Sequence, residues 1–168
     1  MIKAVFFRVC NAKKAAYFCS FKEMPMDPIG TILLVDNDPH QNNAMRCEFS
    51  WRDYTVLTAT SFGEARAMLT KNEPDLILME AELPDGDGFD FYKEIRSRTS
   101  ASIVFITVKS DDRDLVRGLK LGVDEYIKKP FNKEVMAARV DAVMKWRKKL
   151  GSRIHTVYAL VGIGANAS

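Results

Sequence analysis

Six polar residues of this chain stand at or beside the ends of apolar runs, and their types suit one chemistry. "TILLVD" (Thr31–Asp36) ends in Asp36 and is followed by Asn37 and Asp38, while "PDLILME" (Pro74–Glu80) ends in Glu80. "ASIVFITV" (Ala101–Val108) carries Thr107 near its end, and "DEYIKKP" carries Lys129 beside Pro130. Clustered carboxylates attract a hard divalent cation, commonly Mg2+ with retained waters. A lysine opposite them holds a phosphoryl oxygen, and a threonine hydroxyl donates to another. Together these groups point to phosphoryl transfer onto a carboxylate. Any one of them alone would merely solvate a strand end, so the argument rests on all of them falling at matching ends.

Five strand–helix units would have to position them. The four runs above read as strands, with "YTVLTAT" (Tyr54–Thr60) as the second of five. Between them lie helical stretches. Asp38-Pro39 is an N-cap followed by proline, opening a helix to about Ser50. Ser61 caps "FGEARAMLTKN", with Glu64 completing a capping box. "FDFYKEIRSR" places Phe89, Tyr92 and Ile95–Arg96 on one face, and "DDRDLVRGLKLG" closes on Gly122. "NKEVMAARVDAVMKWRKKL" is a long amphipathic helix, and "LPDGDG" is a turn-rich loop. Nearly continuous apolar strands imply a sheet covered on both faces, hence parallel. Right-handed crossovers then favour a doubly wound α/β fold of the flavodoxin-like kind, strand order 2-1-3-4-5 with five helices. In that order the carboxyl ends of the first and third strands flank the crevice where ligands bind.

Bulk properties narrow the class. The chain has 168 residues, 47% hydrophobic and 28% charged, which fits one domain with extensions. We divide it into a basic, poorly ordered extension over 1–28, a domain over 29–150 and a tail over 151–168. Much of the net charge of +3 sits at the start, where Lys3, Arg8, Lys13, Lys14 and Lys22 face only Glu23 in residues 1–25. That segment reads as a leader or as an amphipathic targeting segment, although it lacks a cleavage signature. The near-neutral remainder gives no broad phosphate-binding face, so no direct nucleic-acid contact is expected. No apolar run reaches transmembrane length, so no membrane partner is expected. Cys10, Cys19 and Cys47 show no metal-ligand spacing, and the odd count points to a reducing, cytoplasmic setting.

On these motifs the chain resembles the response regulator receiver family of two-component phosphorelay signalling, over about residues 30 to 149. "LLVDND" is similar to its acidic pair, and "PDLILMEAELPDGDGF" to its phosphoacceptor strand and following loop. Thr107 falls at its switch hydroxyl, Tyr126 at its switch aromatic, and Lys129-Pro130 at its Lys-Pro pair, with Pro130 the candidate for a cis peptide. "DLVRGLKLGVDEYIKKPF" is closest to the OmpR/PhoB-like branch. Two positions depart. Glu80 stands where the family has its acceptor aspartate, and Asn37 replaces the second acid. The implied Mg2+ site of Asp36, Asn37, Glu80 and the carbonyl of Glu82 is thus degenerate. A neutral amide is a poorer Mg2+ ligand, and misplacing a nucleophile by about 1 Å costs on the order of 100-fold.

The resemblance implies a signalling module that is not an enzyme, needs no cofactor and works independently of phosphorylation. Glu80 then acts as a fixed charge reaching Lys129 and Thr107. The implied partners are a protein or a second copy, bound through the fourth helix, fifth strand and fifth helix. A sensor histidine kinase is the implied upstream partner. On that face Glu125 and Arg139 match the family's ion pair, while Leu115 and Val135 replace a basic–acidic pair. Lys145, Arg147, Lys148 and Lys149 read as a helix terminus suited to its dipole. Two alternatives stay open: a fragment or relative of an OmpR-like DNA-binding transcriptional regulator, and a receiver that is still phosphorylated. "SRIHTVYALVGIGANAS" faintly resembles the closing hairpin of a winged helix, but without the recognition helix that should precede it we read it first as an unrelated tail.

Overall fold

The structure, a computed structural model, describes residues 28–108 and 112–161. The basic leader lies outside the described residues, as do 109–111 and 162–168. In chain order the elements are β1 (Gly30–Val35), α1 (Pro39–Trp51), β2 (Tyr54–Ala59), α2 (Phe62–Leu69), β3 (Leu76–Met79), β4 (Glu82–Leu83), β5 (Gly86–Asp87), α3 (Gly88–Arg96), β6 (Ser102–Thr107), α4 (Asp112–Leu121), β7 (Glu125–Lys128) and α5 (Lys133–Val161). The main sheet is parallel throughout, in the order β2-β1-β3-β6-β7. This is the doubly wound order expected from the sequence, with β6 and β7 as its fourth and fifth strands.

Alternate residues of each strand feed two cores. Leu33, Val35, Ile77, Met79, Ile103 and Phe105 pack under α2 and α3 against Phe62, Phe89, Phe91 and Ile95. Ile32, Leu34, Leu76, Leu78, Val104 and Ile106 pack under α1 and α5 against Met45, Phe49, Met136, Val140 and Met144. Burying each such side chain contributes about 1.5–3 kcal/mol. Phe91 therefore joins the inward face of α3, whereas Arg96 lies outside and donates to the Ala101 carbonyl.

Helix starts follow the sequence with one change. Asp38 caps α1 by accepting from His40 N, with Pro39 beginning the helix. Ser61 accepts from Glu64 N, but Glu64 reaches back to the amide of Thr60 at 2.7 Å, one residue beyond the N-cap amide of the standard box. The amides of Phe62 and Gly63 are taken instead by Asp85 from the β4–β5 hairpin. Gly122 closes α4 at φ 79, in the left-handed region that glycine adopts without strain.

Helix α5 is longer than the amphipathic pattern, which reads as ending at Leu150. It runs on through Gly151 to Val161, so residues 152–161 form no strand of a hairpin. No proline stands in this stretch, and a single helical glycine costs only about 1 kcal/mol. The basic group Lys145–Lys149 therefore lies inside the helix and not at its end. Arg147 there pairs with Asp75 and donates to Ser100 Oγ, while Lys149 sits over the Trp146 ring.

Candidate functional site

The carboxyl ends of β1, β3, β6 and β7 meet at one edge of the sheet. Register places Val35 beside Met79, and Thr107 beside Lys128. The next residues outward are thus Asp36, Glu80 and Lys129. Backbone bonds lock these ends together: Glu80 N donates to Val35 O at 2.9 Å, and Lys129 N to Thr107 O at 2.8 Å. The Lys129–Pro130 peptide bond is cis.

A three-residue charge cluster results. Lys129 Nζ donates to Asp36 Oδ2 at 2.6 Å and to Glu80 Oε2 at 2.8 Å. Asp36 and Glu80 are only 4% and 8% exposed, so these contacts are formed largely away from water. The other two carboxylate oxygens are also engaged. Asp36 Oδ1 accepts from Asp38 N, and Glu80 Oε1 from Ala81 N. Burial disfavours the charge on Lys129, but the hydrogen bonds and charges of Asp36 and Glu80 outweigh it and hold the ammonium above its ordinary range.

The remaining expected residues divide. Thr107 is fully buried beneath the cluster. Tyr126 is half-buried, with its ring 6.1 Å from that of Phe105, and Gly118 of α4 lies against it. The aromatic thus faces the core side of β7. Asn37, Asp38 and Glu82 are exposed, and Asp38 serves as the cap of α1. The structure does not draw these three into the Lys129 cluster. On the α4–β7–α5 side, Arg139 pairs with Glu125 at 3.1 Å, and Leu115 and Val135 are exposed. Val116 and Leu119 extend that apolar surface.

Asn42 is a residue that sequence reasoning missed. It is buried at the first turn of α1, where its amide donates to Asp36 O at 2.6 Å and to Ala59 O at 3.3 Å. Its spacing with Met45 and Phe49 marks an inward helix face, and an amide on such a face was the available signal. Gly88 is a second such residue. A Cβ there would lie 2.8 Å from Glu80 O and 3.0 Å from Ala81 Cα, so only glycine lets α3 approach the strand end.

A model of the response regulator receiver domain matches residues 32–141. The chain belongs to this family. It is 33% identical over 115 residues to the transcriptional regulatory protein AfsQ1 of Streptomyces coelicolor, covering 68% of this chain and 51% of that protein. It is 32% identical over 114 residues to the transcriptional regulatory protein CpxR of Klebsiella pneumoniae, covering 68% and 49%. The chain thus spans about half the length of the curated relatives it matches, which are of the OmpR/PhoB type. A CheY-like receiver domain protein from Methanospirillum hungatei superposes with a TM-score of 0.67 at 25% identity, covering 71% of this chain and 96% of that one. Among the described residues no helix is long and apolar enough to cross a membrane.

The family implies a divalent ion at this edge, and the residues present do not fit one. Among the described residues no three His, Cys, Asp or Glu side chains are grouped to hold a metal. Each oxygen of the two buried carboxylates already accepts a hydrogen bond, two of them from an ammonium. Mg2+ needs near-octahedral oxygen ligation at close range.

Proposed function

We propose that this receiver works without phosphorylation, with Glu80 as a permanent charge in the pocket, and that it regulates a partner through protein–protein contact. The observation that carries this reading is the Glu80 Oε2–Lys129 Nζ contact of 2.8 Å. In the family the lysine at this position serves a phosphorylated aspartate, and here the longer carboxylate engages it directly. Phosphorylation brings about −1.5 to −2 charge and three acceptor oxygens, so one glutamate imitates it in part. The core-facing position of Tyr126 supports the same reading, because a charge-biased pocket and an inward aromatic are the two halves of the family's switch. The α4–β7–α5 face, with Leu115, Leu119 and Val135 exposed, is the output surface.

The test is incubation with acetyl phosphate and Mg2+, followed by intact-mass measurement. The expected mass is unchanged. An adduct on Glu80 would sink the proposal and leave an ordinary receiver. Glu80→Asp with Asn37→Asp should restore phosphorylation better than either change alone, since nucleophile and metal ligand act as one unit.

A second reading is favoured by the half-length match to relatives named transcriptional regulators. In it the same module is the receiver part of a DNA-binding regulator. An in-frame downstream coding sequence carrying a winged-helix domain would support it.

A further inference from the structure

The pocket at the sheet edge has two buried carboxylates, and their compensating positive charge comes from the chain itself. Asp36 Oδ2 and Glu80 Oε2 converge on Lys129 Nζ at 2.6 and 2.8 Å. The ammonium therefore lies between the two carboxylates that would hold a divalent ion. A metal entering there would meet a like charge at contact range, in a low-dielectric setting where such repulsion is strong. Displacing the ammonium is no easier, because it would break both of its charged hydrogen bonds, to Asp36 and Glu80. The backbone N of Lys129 bonds Thr107 O, and its side chain is only 10% exposed. Further ligands are also wanting. Asn37 is neutral and exposed, Asp38 Oδ1 is committed to His40 N, and Glu82 is exposed on the hairpin strand.

We infer that the Lys129 ammonium is the resident cation of this pocket in place of a divalent ion, and that it makes the folded state and its output face independent of Mg2+. The inference rests on reading Glu80 as a fixed charge, and it goes further. A chain in which Glu80 is not phosphorylated could still take up Mg2+, and this one does not. In effect the lysine supplies the charge compensation that a metal would supply. Its removal should expose a latent divalent site made of Asp36 and Glu80.

The experiment uses the full chain. For the wild type, the unfolding midpoint is compared in EDTA and in MgCl2 at up to about 20 mM, and amide spectra are recorded during titration with MnCl2. The midpoint should be the same in both, and Mn2+ should not selectively broaden the amides of Asp36, Glu80 and Lys129. Lys129→Ala leaves two buried carboxylates uncompensated. Its midpoint in EDTA should fall on the order of 10 °C and recover with added Mg2+ in a saturable way. Saturable Mn2+ broadening at Asp36 and Glu80 in the wild type, or a wild-type midpoint that rises with Mg2+, overturns the inference. So does a Lys129→Ala midpoint that is indifferent to Mg2+. If Lys129→Ala does not fold, the wild-type broadening decides alone. Metal uptake without any phosphoryl adduct would overturn this inference and leave the phosphorylation-independent reading standing. An adduct on Glu80 would overturn that reading.

Discussion

Glu80 and Asn42 hold the site from opposite sides, one through charge and one through the backbone. Glu80→Gln keeps the size and removes the charge, leaving Lys129 with Asp36 alone. Losing one charged hydrogen bond costs about 1.5–3 kcal/mol, so the urea midpoint should fall. The Lys129 ammonium should titrate at lower pH, and Tyr126 should lose its ring contacts with Phe105. Nitrogen-detected titration and ring-to-ring NOEs check both. If neither moves, Glu80 only fills space and the switch is inert. Asn42→Ala removes two donors to the carbonyls of Asp36 and Ala59 and should destabilise by about 1–3 kcal/mol, read in denaturant unfolding. The Oδ1 atom of Asn42 is buried without a partner in the structure, so part of that cost is returned on deletion. An unchanged midpoint would show that its amide bonds do little. The Glu80, Asp36 and Lys129 triad was legible in the sequence because strand ends of a parallel sheet must converge. Asn42 was not, since its partners are backbone carbonyls that the sequence cannot place.

Among the elements, the five strands and their helices could be read from apolar runs bounded by caps and glycines. The two-residue strands β4 and β5 could not, because pairs that short carry no period. The end of α5 was misplaced because the amphipathic pattern was followed only to Leu150, whereas the helix runs on through Gly151, a residue that a long helix tolerates. The α4–β7–α5 face shows what element packing leaves over. Leu115 is 39% exposed, Val135 53% and Leu119 64%, while the neighbouring Arg139–Glu125 pair is already satisfied within the chain. Association through this face should therefore depend weakly on salt, because apolar contacts are not screened as ion pairs are. Val135→Glu places a carboxylate in the middle of the apolar surface, one turn before Arg139 of α5, and should weaken self-association or partner binding about tenfold or more, because the carboxylate must lose its water when the face is covered. Sedimentation at two ionic strengths measures this. Equal association of parent and variant would remove the face from the proposal.

Across the whole molecule, α5 ties the β2 edge of the sheet to its central strand, β3. Asp141 of α5 accepts from Tyr54 Oη at 3.1 Å and from Arg52 Nη1 at 3.2 Å, at the β2 edge. Arg147, two turns on, pairs with Asp75 at the start of β3. Burial first, and then the charge and hydrogen bond of Asp141, push the Tyr54 hydroxyl up to about 12, against the opposing pull of Arg52. Lys129 is shifted in the same upward direction. Both groups therefore hold their protons more tightly folded than unfolded. The unfolded chain releases them first as pH rises, and by linkage the folded state then loses stability. This contribution is complete below about pH 10, where both groups are protonated in either state. It disappears as pH climbs through the folded values. The urea midpoint should thus be insensitive to these groups up to about pH 9 and should fall between about pH 10 and 12, with Tyr54 accounting for on the order of 2 kcal/mol. Tyr54→Phe removes the titrating hydroxyl while keeping the ring against Phe49. Its stability should start lower and fall less steeply over the same range. A parent midpoint that stays level or rises from pH 10 to 12, or a Tyr54→Phe slope equal to the parent's, would mean that the α5 clasp at Asp141 does not hold the β2 edge.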